Sequence, residues 1–184
     1  MDFTLSGQEQ RILIQTAREA IESRLFARVP RYPEPTEALK KKCGAFVTLH
    51  SRGKLRGCIG FVVARAPLID TVKETAQSAA FQDPRFAPLS RKEWEDVSLE
   101  ISVLSPLREI ESLEEIEVGV HGVMMRRGFQ SGLLLPQVAT EYGWDRETLL
   151  THTCYKAGLA GDCWRSPEIR IEIFSALVFG EDSK

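Results

Sequence analysis

Two glycines flank a cysteine in Leu55-Arg56-Gly57-Cys58-Ile59-Gly60, and an arginine stands two residues before the thiol. A guanidinium close to a thiol favours the thiolate, the form that attacks electrophiles and binds metals. Glycine inside a strand costs backbone entropy and offers no side chain to pack. Gly57 and Gly60 therefore mark a bulge, a ligand or the close approach of another backbone. The functional reading is a reactive Cys58 in a glycine-lined groove, with Arg56 as its electrostatic partner. The competing reading is a small apolar core residue, because free cysteines are among the most buried residue types. Arg56 would then pack its stem and pair with an acid. By residue type alone, that second outcome is the commoner one.

Asp83-Pro84-Arg85-Phe86 holds an acid and a guanidinium where a helix should end, and such loops often carry function. Its plainer reading is a turn in which Arg85 pairs with an acid. His121, between Val120 and Gly122 on a short strand, could act as a general base or ligand; otherwise it is a hydrogen-bonded structural histidine. A Cys–His pair would require Cys58 and His121 within hydrogen-bond reach. His50 and His152 read as structural. The glycine-rich stretch is no phosphate loop, since the order of residues is wrong and the strand continues. No G-x-S-x-G occurs. Cys154-x₈-Cys163 does not fit the spacing of structural zinc, so no metal and no cofactor is expected. The tryptophans read as packing residues, because no basic stripe accompanies them.

The elements that must position these residues follow from periodicity and punctuation. Ser6 and Glu9 form an S-x-x-E capping box. Apolar residues at helical spacing follow, from Ile12 through Leu25. Three prolines over residues 29–36 end that helix. A hairpin follows, with strands at residues 45–50 and 55–63 around an Arg52-Gly53 turn. A two-residue loop there places Leu49 opposite Arg56 and Val47 opposite Cys58. Cys58 and Arg56 then share a face with Ala45, Val47 and Leu49, while Gly57, Ile59 and Phe61 share the other with Phe46, Thr48 and His50.

Pro67 opens a second helix that stops at Asp83-Pro84. Strands are expected at 99–103, 118–125, 132–135 and 169–174. Two helices precede the last strand, and the second of them carries Cys154 on its buried stripe. The order helix, hairpin, helix, strand, hairpin, two helices, strand is not a regular βαβ alternation. The fold class is thus α+β: a mostly antiparallel sheet flanked by helices, with a smaller second lobe. Residues 1–184 read as a single domain, with about 117–165 as the source of that lobe.

Composition narrows the function classes. The 184 residues are 43% hydrophobic and 27% charged, with 24 basic against 26 acidic residues. A nucleic-acid binder would normally carry the opposite bias. No apolar run reaches the ~18 residues of a membrane span, and the first residues lack a signal-peptide pattern. A cytoplasmic protein is expected. Its four cysteines, Cys43, Cys58, Cys154 and Cys163, are expected as free thiols.

LRGCIG at 55–60 resembles the signature hexapeptide of the AMMECR domain family, called AmmeMemoRadiSam system protein A in bacteria and archaea. AAFQDPRFAPL at 79–89, LEISVLSPL at 99–107, GVHGV at 119–123, GLLLPQVA at 132–139, KAGL at 156–159 and the terminal IFSALVF are similar to its successive blocks. The resemblance covers residues 5–180. It implies an α+β domain with two unequal lobes and no established activity. It also implies a pathway shared with a Memo-like protein and a radical SAM protein. The chain itself lacks the cysteine trio of a radical enzyme.

Two functions follow. The first is a partner- or ligand-binding accessory protein, whose groove is lined by Arg56, Gly57, Gly60, Asp83, Arg85 and His121. The alternative is an enzyme with Cys58 as nucleophile or redox thiol, in which Asp83, Arg85 or His121 binds an anionic substrate or moves protons.

Overall fold

Ser6 and Glu9 cap each other reciprocally, and α1 (Gly7–Leu25) begins there, as the sequence pattern predicts. The computed structural model describes residues 4–181. Two compact units divide the chain: Met1–Leu104 with Leu177–Lys184, and Ser105–Ala176.

In the first unit, β1 (Gly44–Ser51) lies between β2 (Lys54–Phe61) and β3 (Val97–Leu104), antiparallel to both. Ala45, Val47, Leu49, Leu99, Ile101 and Val103 face one way and are buried with the apolar stripes of α1 and α2 (Leu68–Phe81). Side chains such as Leu13, Ile21, Leu49 and Ile101 are fully buried, each contributing about 1.5–3 kcal/mol. A second capping box, Ser90 with Glu93, starts the one-turn helix α3 (Arg91–Trp94).

The hairpin register differs from the expected one. Arg52 and Gly53 do form the two-residue turn, with φ of 51° and 72°, and Ser51 pairs with Lys54. A β-bulge then intervenes: His50 pairs with Leu55, but Leu49 pairs with Gly57 and Thr48 with Cys58. One extra residue, Arg56, inverts every side chain beyond it, because strand alternation has period two. Gly57 and Ile59 therefore point to the core, and Cys58 shares the opposite face with Phe46, Thr48 and Gly60. The physical reason is the helix behind the sheet. A Cβ at Gly57 would fall on the carbonyl oxygen of Ala79 in α2, far inside the 3.0 Å that real Cβ atoms keep. The unbulged register would drive Cys58 and the Arg56 guanidinium into that space instead.

In the second unit, β5 (His121–Arg127) pairs with β6 (Gln130–Leu134) and β7 (Arg170–Gly180), and β4 (Arg108–Glu109) pairs with β7, all antiparallel. Residues 177–180 of β7 belong to the first unit. β5 starts later than residue 118, because Glu117–Val120 is a turn whose Glu117 carbonyl accepts from the Val120 and His121 amides. Pro136 opens α4 (Pro136–Glu141), and Asp145 caps α5 (Arg146–Lys156) by accepting from the Thr148 amide at 2.8 Å. Val123, Met125, Leu149, Leu150, Ile171 and Ile173 form this unit's core.

Cys154 and Cys163 are joined as a disulfide, which corrects the expectation of four free thiols. Cys154 does lie on the buried stripe of α5. Gly158, at φ 73°, turns the chain back after the helix. Cys163, in the next short 3-10 turn, is thereby brought to a Cα–Cα distance of 5.9 Å from Cys154. That separation suits a disulfide, although the spacing resembles no metal pattern. Cys43 and Cys58 remain free.

Candidate functional site

β2 is the outermost strand of its sheet, and at Cys58 its backbone faces away from β1. Asp83, just beyond α2, reaches this margin. Its Oδ2 accepts from the Cys58 amide at 2.9 Å, and Arg85 Nη2 donates to the Cys58 carbonyl at 3.2 Å. The acid and the guanidinium also hold each other. Arg85 Nε donates to Asp83 Oδ1 at 2.9 Å, and Nη2 to Oδ2 at 2.7 Å. The pair bonds the Cys58 peptide groups as a neighbouring strand would. Asp83 is buried, with a side-chain exposure of 1%. Arg85, followed by the Cys58 and Arg85 amides, holds its carboxyl well below the usual 3.8 despite the penalty of burial.

The thiol itself is partly exposed. Thr48 Oγ1, directly across the hairpin, donates to Cys58 Sγ at 3.2 Å. Arg56, at the bulge, does not bond the sulfur. Its Nε donates to Glu93 Oε1 at 3.0 Å and its Nη2 to the Ala87 carbonyl at 2.9 Å. Its Nη1 is buried without a partner among the described residues. Arg56, then the Ser90 hydroxyl and amide, bring Glu93 from its ordinary 4.5 down to about 2. Both guanidinium groups approach the Phe86 ring, Arg56 at 5.7 Å and Arg85 at 5.5 Å from its centroid.

Of the residues singled out in the sequence, Arg56, Gly57, Cys58, Asp83 and Arg85 thus converge on one stretch of β2. Gly57 accommodates α2, and the Phe46 ring occupies the space a Cβ would need at Gly60. His121 has a local partner instead: its Nδ1 accepts from the Glu117 amide at 3.1 Å and closes the turn before β5. Thr48 and Glu93 were not singled out, and Phe86 was named only as the last residue of the Asp83–Phe86 turn. The Ser90–Glu93 capping pattern is legible in the sequence, but nothing local connects Glu93 with Arg56, 37 residues away.

Chemically, the site presents a partly exposed thiol beside a hydroxyl donor, with two arginines whose carboxylate partners are already engaged. No histidine or carboxylate hydrogen-bonds the sulfur among the described residues. No group of three or more His, Cys, Asp or Glu side chains that could hold a metal occurs there either, and none of the helices is long and apolar enough to cross a membrane.

Comparison with known proteins covers nearly the whole chain. The AMMECR1 family model matches residues 14–179. A protein of Methanothermobacter thermautotrophicus is 47% identical over 97% of this chain and 97% of its own length. Protein MK0488 of Methanopyrus kandleri is 44% identical over 99% of this chain and 93% of its own. Among solved structures, the uncharacterized protein PH0010 from Pyrococcus horikoshii superposes with a TM-score of 0.84 at 38% identity, covering 97% of this chain and 94% of that one. By its matched residues, its relatives and its α+β architecture, the chain belongs to the AMMECR1 family.

Proposed function

We propose that the protein is a cytoplasmic accessory component that binds a partner or ligand through the β2 margin and binds no nucleic acid. Its proposed partners are a Memo-like protein and a radical SAM protein of the same pathway. The observation that carries this reading is the use made of the polar groups around Cys58. Asp83 and Arg85 bond the Cys58 backbone and each other, and Glu93 bonds Arg56. These groups build a strand margin, whereas a cysteine nucleophile needs a base or a cation aimed at its sulfur, and both arginines are engaged elsewhere. The partners rest on the resemblance to prokaryotic members of the family.

The test mixes the purified protein with Memo-like and radical SAM proteins from a genome encoding all three, and follows association by sedimentation. A complex that persists with Cys58→Ala supports the accessory role. The enzyme reading draws on the partly exposed thiol, the Thr48 hydroxyl donated to it and the unpartnered Arg56 Nη1. Steady turnover abolished by Cys58→Ala, with no complex formed, would establish that reading and overturn the accessory one.

A further inference from the structure

β6 ends the strand order and has β5 as its one strand neighbour. The two-residue loop Gly128–Phe129, with Gly128 at φ 58°, joins the two strands. Such a loop is closed by a hydrogen-bonded pair, here Arg127 with Gln130. Alternation then makes Met125 with Gly132, and Val123 with Leu134, bonded pairs as well. The amides and carbonyls of Ser131 and Leu133 are thereby turned away from β5, along the outer margin of β6. None of these groups has a hydrogen-bond partner among the described residues.

Edge strands are commonly guarded by a charged side chain, a proline or a bulge, because an open edge is a template for another strand. At Cys58 the edge of β2 is closed by Asp83 and Arg85. The Gln130–Leu134 strand has no such guard. It carries no charged residue and no proline, and it pairs with β5 without a break in register. At one end Phe129 is fully exposed, and at the other Leu135 is partly so.

We propose that β6 is the seam of a two-fold dimer, in which it pairs antiparallel with the β6 of a second copy of this chain. The outward-facing residues lie symmetrically about Gly132. A two-fold axis there sets Ser131 of each copy against Leu133 of the other, so that each outward amide meets an outward carbonyl. No like charges are placed opposite each other along the strand, which favours a second copy as the occupant. The same register brings Phe129 of each copy alongside Leu135 of the other and covers both. Above Gly132 the chain presents the end of α5 at Ala157, followed by Gly158, and these small residues leave room for the other copy's helix.

The experiment is sedimentation equilibrium of the intact protein over a concentration series, with hydrogen exchange at the Ser131 and Leu133 amides followed by NMR. Both amides are expected to exchange rapidly when dilute and to slow in step with the appearance of dimer. Leu133→Pro removes an outward donor, and proline on an edge strand with its N–H side facing out leaves the β5 ladder whole. By symmetry it removes one hydrogen bond at each copy's Leu133, so the dimer is expected to weaken by about tenfold or more, with native circular dichroism. Phe129→Ser is expected to weaken it too, and the exchange of the parent protein decides the matter if the proline variant does not fold. A protein that stays monomeric throughout overturns the proposal, as does a dimer whose Ser131 and Leu133 amides still exchange at the dilute rate. Slow exchange at every dilution, without dimer, would show that the chain covers this edge itself and would also overturn it. Protection that appears only on adding a Memo-like or radical SAM protein would assign the edge to a segment of that partner; the dimer then fails and the accessory role stands.

Discussion

Gly57→Ala tests the packing that fixes the register of the site. The added methyl group would point at the carbonyl oxygen of Ala79, inside the 3.0 Å limit, and the obstacle is helix backbone with no rotamer to change. Forcing an extra carbon into a packed core costs roughly 1–3 kcal/mol, and an unyielding backbone neighbour argues for the upper part, about 2–3 kcal/mol. Alanine also restricts the unfolded chain, which offsets about 0.4–1 kcal/mol. The net expectation is about 1–2.5 kcal/mol of destabilisation. In a chain of this size each kcal/mol moves Tm by about 2–4 °C, so the midpoint should fall by about 2–10 °C. The control is Gly7→Ala at the start of α1. Its Cβ meets nothing nearer than Arg11 Nη1 at 3.6 Å, an ordinary contact, so the cost should be much smaller. Urea and thermal unfolding followed by circular dichroism read both variants. A Gly57→Ala protein as stable as the parent, or one less affected than Gly7→Ala, would refute the close-approach argument.

The acid limb of stability should depend on the two carboxylates at the site. Folding lowers Asp83 below 3.8 and brings Glu93 from 4.5 to about 2, so their stabilisation is complete above those ordinary values and is lost as pH falls below them. Asp83→Asn should reduce stability at neutral pH and flatten the decline as pH falls below about 3.8, the ordinary value of the removed carboxyl, measured as urea midpoints across the acid range. The Cys154–Cys163 bond spans a sequence separation of 9, and closing so short a loop is worth about 2–3 kcal/mol, which the double Cys→Ser variant should lose on denaturation. Thiol titration of the unfolded, unreduced protein should find Cys43 and Cys58 alone. In the native protein Cys58 should label well before Cys43, which is buried and whose thiol burial pushes up. Cys58→Ala and Cys58→Ser should each stay within about 1 kcal/mol of the parent, because the sulfur lies off the core and a serine there keeps the Thr48 partner. A serine variant that unfolds easily while alanine does not would return Cys58 to the core.

Local chemistry was sufficient wherever an element's own residues decide its shape. The reciprocal cap of Ser6 and Glu9, the Arg52-Gly53 turn and Pro136 at the start of α4 all depend on neighbours within a few positions. The α+β class followed from the order of such elements, and the convergence of Arg56 and Cys58 from their place on one strand. Asp83 and Arg85 were legible as a paired turn, but their bonds to Cys58 span 25 and 27 residues, and no periodicity encodes them.

The face on which Cys58 lies is a tertiary decision. Pattern alone puts it beside Val47 and Leu49. A single bulge, forced by the depth of α2 behind Gly57, puts it beside Thr48. The disulfide is of the same kind: Cys154 was correctly read as buried, but only the chain reversal at Gly158 brings Cys163 to it. Sequence patterns report hydrophobic period and turn geometry, which act over a few residues. Register, cross-chain bonds and the exposure of a thiol depend on which backbone lies behind it, and that is known only once the elements have packed.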